Sequence, residues 1–227
     1  MCFSATASFG ASTILLTIGI VTIKKAQSTP QRFLAVIPLI FSVQQFAEGG
    51  LWLSLTHSAY ASLHNFFMYL FLAFAQVVWP IFVPLAILLL ETEPVRKKVL
   101  LAFLAIGILT GGYLLFCILF YKVEAFVSSH HIGYAQEFPL IHLRMSGVMY
   151  FIPTVVSAFI SSVKPLRLFG GLILLSFIIT KVFYSDYVIS IWCYFAAIIS
   201  LLILYIIILL NKPGRVTNYR WLTNTYN

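Results

Sequence analysis

Seven runs of this sequence are apolar over most of the length that a bilayer-crossing helix needs, and they leave the chain few ways to fold. To within several residues they are Phe9 to Ile23, Phe33 to Leu55, Leu63 to Leu90, Val99 to Tyr121, Ser146 to Val163, Leu168 to Tyr184 and Tyr187 to Leu210. A hydrocarbon core about 30 Å thick takes about 20 apolar residues per helical span. In lipid, only helices and closed barrels satisfy their own backbone. Barrel strands alternate apolar and polar side chains, whereas these runs are apolar on every face. The expected class is an all-α integral membrane protein with seven transmembrane helices. Residues 1–210 would form a single domain and 211–227 a basic cytoplasmic tail. The first run is short, and little more than Ser185 and Asp186 separates the last two, so six spans with one re-entrant segment is the alternative.

With 61% hydrophobic and 9% charged residues the chain has too little polar surface for a water-soluble domain. Its net charge of +8 does not point to nucleic acid, because the basic residues sit in short loops. In the seven-span reading Lys24, Lys25, Arg32, Arg96, Lys97, Lys98, Lys164, Arg167, Lys212, Arg215 and Arg220 share one side, and Lys122, Arg144 and Lys181 lie opposite. The excess of Lys and Arg in cytoplasmic loops then places the N-terminus outside and the C-terminus in the cytoplasm. Met1 to Gly10 lacks a positively charged leader and a small-residue cleavage site, so no removable signal peptide is expected.

This orientation puts all five histidines and Glu48, Glu124, Glu137 and Asp186 toward the outside. Glu91 and Glu93 fall on the cytoplasmic side beside Arg96, Lys97 and Lys98, and read as a solvated charge cluster. Lys181 and Asp186 read as an ion pair at the outer junction of the last two spans. The one long connection, Lys122 to Arg144, is also outside. Its segment from Lys122 to Gln136 suits a short β-hairpin lid over the bundle, an amphipathic interfacial segment or a plain surface loop. The glycine pairs Gly49 with Gly50, Gly111 with Gly112 and Gly170 with Gly171 read as close-packing positions.

The most unusual polar group is Glu48, within an apolar run. A carboxylate at the bilayer centre costs about 2.5–3.5 kcal/mol or more, so it is expected to face the protein interior and to have a partner. Gln44 lies four residues before it on the same helical face, and Gln45 and Trp52 flank that stripe. Glu48 is open to four readings: a structural hydrogen bond between helices, a metal ligand, a general base, or a proton-coupling carboxylate.

Cys2 and Cys193 are placed at similar depth on the outer side, and three readings remain open for them. They are a disulfide bridge, separate packing of each thiol, or a site in which thiolates, imidazole and carboxylate hold zinc or another transition metal. Of the adjacent His130 and His131, at most one can enter a given site. No pair of histidines has helical metal-ligand spacing.

The opening Met1, Cys2, Phe3, Ser4, Ala5, Thr6, Ala7, Ser8, Phe9 resembles the start of a family of uncharacterised bacterial multi-pass membrane proteins. The resemblance extends to Pro38, Leu39, Gln44, Gln45, Glu48, Trp52, Trp79 and Pro80, to the stretch from His130 to Tyr134, and to Trp192, Cys193, Ala196, Ala197 and Ser200. It implies a fold, the bacterial inner membrane and a set of site residues (Cys2, Glu48, His130 and Cys193), without a reaction. Span count and orientation are also similar to the seven-span metal-dependent membrane hydrolases that include alkaline ceramidases. Those enzymes carry a paired histidine motif on the last span, which this sequence lacks.

The combined expectation is an outward-facing polar pocket. Cys2, Glu48, His130 and Cys193 would be its metal ligands, with Glu48 and His130 as catalytic groups, and Gln44, Gln45, Trp52, Trp79, Tyr134 and Trp192 would form its walls. A metal-dependent enzyme acting on a lipid or small molecule is the leading reading. The alternatives are a transporter or channel component using Glu48, and a non-catalytic structural or accessory subunit. Whether the chain is an enzyme is left open.

Overall fold

The computed structural model describes residues 4–128, 130–139 and 144–212. Six helices are long and apolar enough to cross a membrane: α1 (Ala5–Lys25), α2 (Thr29–Thr56), α3 (Ser58–Leu90), α4 (Pro94–Phe120), α6 (Lys164–Phe183) and α7 (Ser185–Leu210). Between α4 and α6 lies a shorter apolar helix, α5 (Gly147–Ile160).

Several helices begin outside the apolar runs, because capping groups in the flanks start them early. The Ser4 hydroxyl accepts from the Ala7 amide, Ser28 from Gln31 ahead of Pro30, and the Glu93 carboxylate from Val95 and Arg96 ahead of Pro94. Each satisfies amides that the first turn of a helix leaves without a partner.

Close approach of α1 to α2 relies on small residues. The Ser12 hydroxyl donates to the Ser42 carbonyl at 2.9 Å and the Ser42 hydroxyl returns a bond to the Ser12 carbonyl at 2.8 Å. Gly49 abuts the Phe9 ring, and Gly107 of α4 lies so near the Pro80 carbonyl of α3 that a Cβ would sit 1.8 Å from it. Small residues at such crossings let helices pack by van der Waals contact where lipid gives no hydrophobic drive.

Two widened π turns interrupt the helices, Ala73–Val78 in α3 and Ile152–Val156 in α5. The Tyr150 hydroxyl donates to the Ala75 carbonyl and so ties one turn to the start of the other. This is the hydrogen-bond repair that irregular helix requires at membrane depth.

After α4 the chain forms an antiparallel hairpin, β1 (Val123–Ser128) paired with β2 (His131–Gln136) in the register Val123 to Gln136 through Ser128 to His131. Two apolar clusters fill the bundle. One, under the hairpin, includes Leu51, Met68, Phe71, Cys117, Ile132 and Phe138; the other, toward the opposite end, includes Leu34, Ile87, Leu100, Leu166 and Ile203.

At the end away from the hairpin, Glu93, Arg96, Lys97 and Lys98 keep exposed surface as a solvated cluster would, but Glu91 sits in a buried knot. Glu91 has no exposed surface. Its carboxylate accepts from the Thr92 and Glu93 amides and from both the amide and the hydroxyl of Ser162, in the α5–α6 connection. Burial alone would raise its pKa, but these four donors outweigh it and hold the carboxyl below its ordinary value of 4.5. Arg96 donates to the Ile160 carbonyl and Arg167 to the Ser161 carbonyl, each at 3.0 Å, satisfying acceptors freed where α5 ends. The Asn211 side chain donates to the Lys25 carbonyl at 2.7 Å and closes α7 onto α1 at the same end.

Candidate functional site

The polar stripe of α2 lies at the seam between the two apolar clusters. Gln44, Gln45 and Glu48 have 0% exposure. One Glu48 oxygen accepts from the Gln45 amide at 3.1 Å, and the other accepts from the Ser190 hydroxyl of α7. The Gln44 carbonyl oxygen accepts from the Trp79 indole of α3 at 2.7 Å, and the Gln44 side chain lies against the Cys193 thiol. Trp79 is held flat against Phe41, ring centres 3.9 Å apart. Three helices thus meet through side-chain polar groups. Even so, the Gln44 Nε2, Gln45 Oε1 and Trp52 Nε1 atoms are buried without a hydrogen-bond partner.

Beside this seam, under the hairpin, is a cavity of about 1070 Å³. Cys193 and Trp192 of α7, Tyr150 and Phe151 of α5, Phe177 of α6 and Tyr113 of α4 form much of its wall. Rings pack around Trp192, with Phe177 at 4.9 Å and Tyr150 at 6.0 Å between centres. The hairpin contributes Tyr134 and Gln136. Tyr134 stacks on Phe71 at 5.4 Å with the planes 1° apart. The Gln76 amide, from the π turn of α3, donates to Gln136 at 2.9 Å.

The Gln76 and Gln136 side chains each keep one buried amide atom without a partner, and so does the Tyr134 hydroxyl. Such orphans are costly in an interior, about 1–3 kcal/mol each, and mark places where a polar guest is favoured. Burial foremost, and the neighbouring Glu48 next, push the Tyr134 phenol above its ordinary pKa. It stands as a hydrogen-bond donor rather than a base. A smaller void of about 40 Å³ continues past Cys193 between Phe41, Trp79 and Trp192.

The residues singled out in the sequence are placed as follows. Glu48, Gln44, Gln45 and Trp79 share the seam, with Cys193 between seam and cavity, while Trp192 and Tyr134 line the cavity and Trp52 packs in the cluster below the hairpin. His130 sits exposed at the hairpin turn. Its neighbour His131 faces the bundle, its ring 4.8 Å from that of Tyr187 and 5.5 Å from that of Tyr184, and burial lowers its pKa. Cys2 lies outside the described residues. Among the described residues no three His, Cys, Asp or Glu side chains gather closely enough to hold a metal ion, and Cys117 and Cys193 are free thiols.

The family of unknown function designated DUF6629 matches residues 1–217, nearly the whole chain. The chain belongs to that family. No curated protein and no solved structure matches it significantly. For this member of DUF6629, site chemistry therefore rests on its own geometry.

Four members of the site were not singled out in the sequence: Ser190, Gln76, Gln136 and Tyr150. Gln76 carried a signal, since it is an uncharged amide inside an apolar run, just as Gln44 is. Ser190 carried little. A serine in a membrane helix ordinarily bonds the carbonyl a turn back, as Ser157, Ser176 and Ser200 do here. Lys181 and Asp186, expected to pair, form no ion pair among the described residues; both line the cavity instead, with Asp186 accepting from Ser185 at 3.3 Å.

Proposed function

We propose that the protein is a seven-span membrane protein of the bacterial inner membrane that binds a lipid or other amphiphilic small molecule in the cavity beneath its hairpin. The cavity carries this reading. Its wall is mainly aromatic and aliphatic, with the polar residues Gln76, Gln136 and Tyr134 among those that line it, which is the make-up of a small-molecule site. At about 1070 Å³ it has the capacity for much of a lipid chain and its linkage.

The shorter apolar helix α5 would serve as the seventh span. That odd count supports an outside N-terminus, because it gathers the basic connections, with the Glu91 knot, on the cytoplasmic side.

The partnering of Glu48 by Gln45 and Ser190 favours a role in holding α2 to α7 over one as a free base. A metal-dependent reaction would draw on Cys193, which reaches the cavity, together with Cys2 and Glu48. Metal analysis of reduced wild-type protein and of Glu48→Gln tests that arm, and stoichiometric zinc lost in the variant would favour it.

The binding itself is tested by extracting protein in mild detergent and identifying retained lipid by native mass spectrometry. Gly147 lines the cavity, and a side chain added there would enter open space, with nothing within 4 Å of its Cβ. A Gly147→Trp variant is therefore expected to narrow the cavity and weaken retention of the bound species. Equal retention in both proteins would sink the proposal.

A further inference from the structure

Two opposite charges stand at the same cavity without neutralising each other. Lys181, near the end of α6, and Asp186, in the first turn of α7, are both exposed and both line it. Neither takes part in an ion pair among the described residues, where the ion pairs are Arg96 with Glu93 and Lys122 with Glu124. Ser185 donates to Asp186 Oδ1, and Oδ2 has no partner among the described residues. Tyr187, next in the chain, also faces the cavity, and its ring stacks near His131. An aromatic face beside a carboxylate favours an ammonium group, while a lysine favours a phosphate. Behind them lie Val148, Phe151, Phe177 and Trp192, which suit acyl chains.

We propose that this rim is a headgroup site for a zwitterionic phospholipid of the ethanolamine type, with Lys181 taking the phosphodiester and Asp186 the primary ammonium. The assignment rests on the amphiphile reading above and narrows it to one chemistry. A head with a phosphodiester and no ammonium would meet the same lysine but leave Asp186 facing its negative charge. The two charged side chains thus read a head with both signs, not merely an anionic one.

The test is displacement of an acyl-labelled fluorescent phosphatidylethanolamine from detergent-solubilised protein, with phosphatidylethanolamine and phosphatidylglycerol of identical chains as competitors. Soluble glycerophosphoethanolamine is the third competitor. The ethanolamine lipid is expected to compete about fivefold better than the glycerol lipid, the size of one exposed charge pair. Asp186→Asn should erase that difference, and Lys181→Gln should weaken both lipids alike. Because both side chains are exposed, the variants should keep the wild-type melting temperature.

Equal competition by both lipids in the wild type, or a preference untouched in both variants, overturns the headgroup assignment while leaving the cavity reading standing. Probe binding that is the same in Gly147→Trp as in the wild type overturns the cavity reading itself. Competition by glycerophosphoethanolamine as strong as that of the lipid shows that the free head is the ligand, and overturns the phospholipid assignment.

Discussion

Ser190 of α7 donates its hydroxyl to Glu48 of α2, joining two helices through residues 142 positions apart in the chain. The second carboxylate oxygen is held within α2 by Gln45. Removing the serine leaves one oxygen of a fully buried group without a donor. Ser190→Ala is expected to destabilise the protein by about 1–3 kcal/mol. The same change made on a Glu48→Leu background should cost well under half as much, because the partner is already gone. Thermal unfolding of the four proteins in one detergent checks this, and additive costs would show that the two side chains do not act on each other.

The crossing of α3 and α4 gives a sharper contrast between neighbouring glycines. A methyl group at Gly107 meets the Pro80 carbonyl, which is backbone and cannot swing aside, whereas at Gly112 nothing lies within 4 Å. Gly107→Ala should lower the melting temperature strongly, with a cost on the order of the 1–3 kcal/mol of an overpacked core. Gly112→Ala should leave it unchanged or slightly raised. A similar response at both sites would contradict the packing.

Acid sensitivity follows from Glu91. Its folded-state pKa lies below the ordinary 4.5, so the unfolded chain binds the proton more readily. Stability from this group is therefore fully present above about pH 4.5 and is lost as pH falls through the lowered value. Glu91→Gln should flatten the fall in melting temperature on the acid side of pH 4.5 relative to the wild type. At pH 7 the variant should already be the less stable of the two. An acid limb of unchanged steepness would remove Glu91 as its source.

Thiol chemistry separates the cavity from the core. Cys193 and Cys117 both belong to the cluster beneath the hairpin, but Cys193, at 7% exposure, also lines the cavity, while Cys117 has 0%. Because Cys193 borders the cavity, methyl methanethiosulfonate is expected to reach it ahead of Cys117, with peptide mass spectrometry reporting each site. Narrowing the cavity in Gly147→Trp should slow the first and leave the second unaltered. Equal rates would mean that Cys193 is closed off.

The helices were legible because burial in lipid demands long apolar runs, and Phe33 to Leu55 or Leu63 to Leu90 have no other use for such length. Their true starts were less legible, since Ser28 with Pro30, and Glu93 with Pro94, extend α2 and α4 through capping into polar sequence that hydropathy discounts. The hairpin was legible as one of three options, and its register depends on pairing that the sequence does not announce. The site divides along the same line. Gln44 and Glu48 stood out because a polar group in lipid is expensive, whereas Ser190 did not, because a serine can satisfy itself within its own helix. Glu91 looked solvated beside three basic residues; two of its four donors, the amide and hydroxyl of Ser162, lie 71 positions away and leave no local trace.

The π turn at Ala73–Val78 carries a consequence for how this span tolerates changes in length. A π turn holds one residue more than an α turn, and one residue corresponds to about 100° of rotation around a helix. Gln76, within it, points to the hairpin, and Trp79, just after it, points to Gln44. The two halves of α3 are thus phased separately, one to the hairpin and one to the seam. In genetic terms, deletion of a single codon in that turn would leave a smooth, still mainly apolar helix of sufficient length to span, yet one whose lower half faces the wrong neighbours.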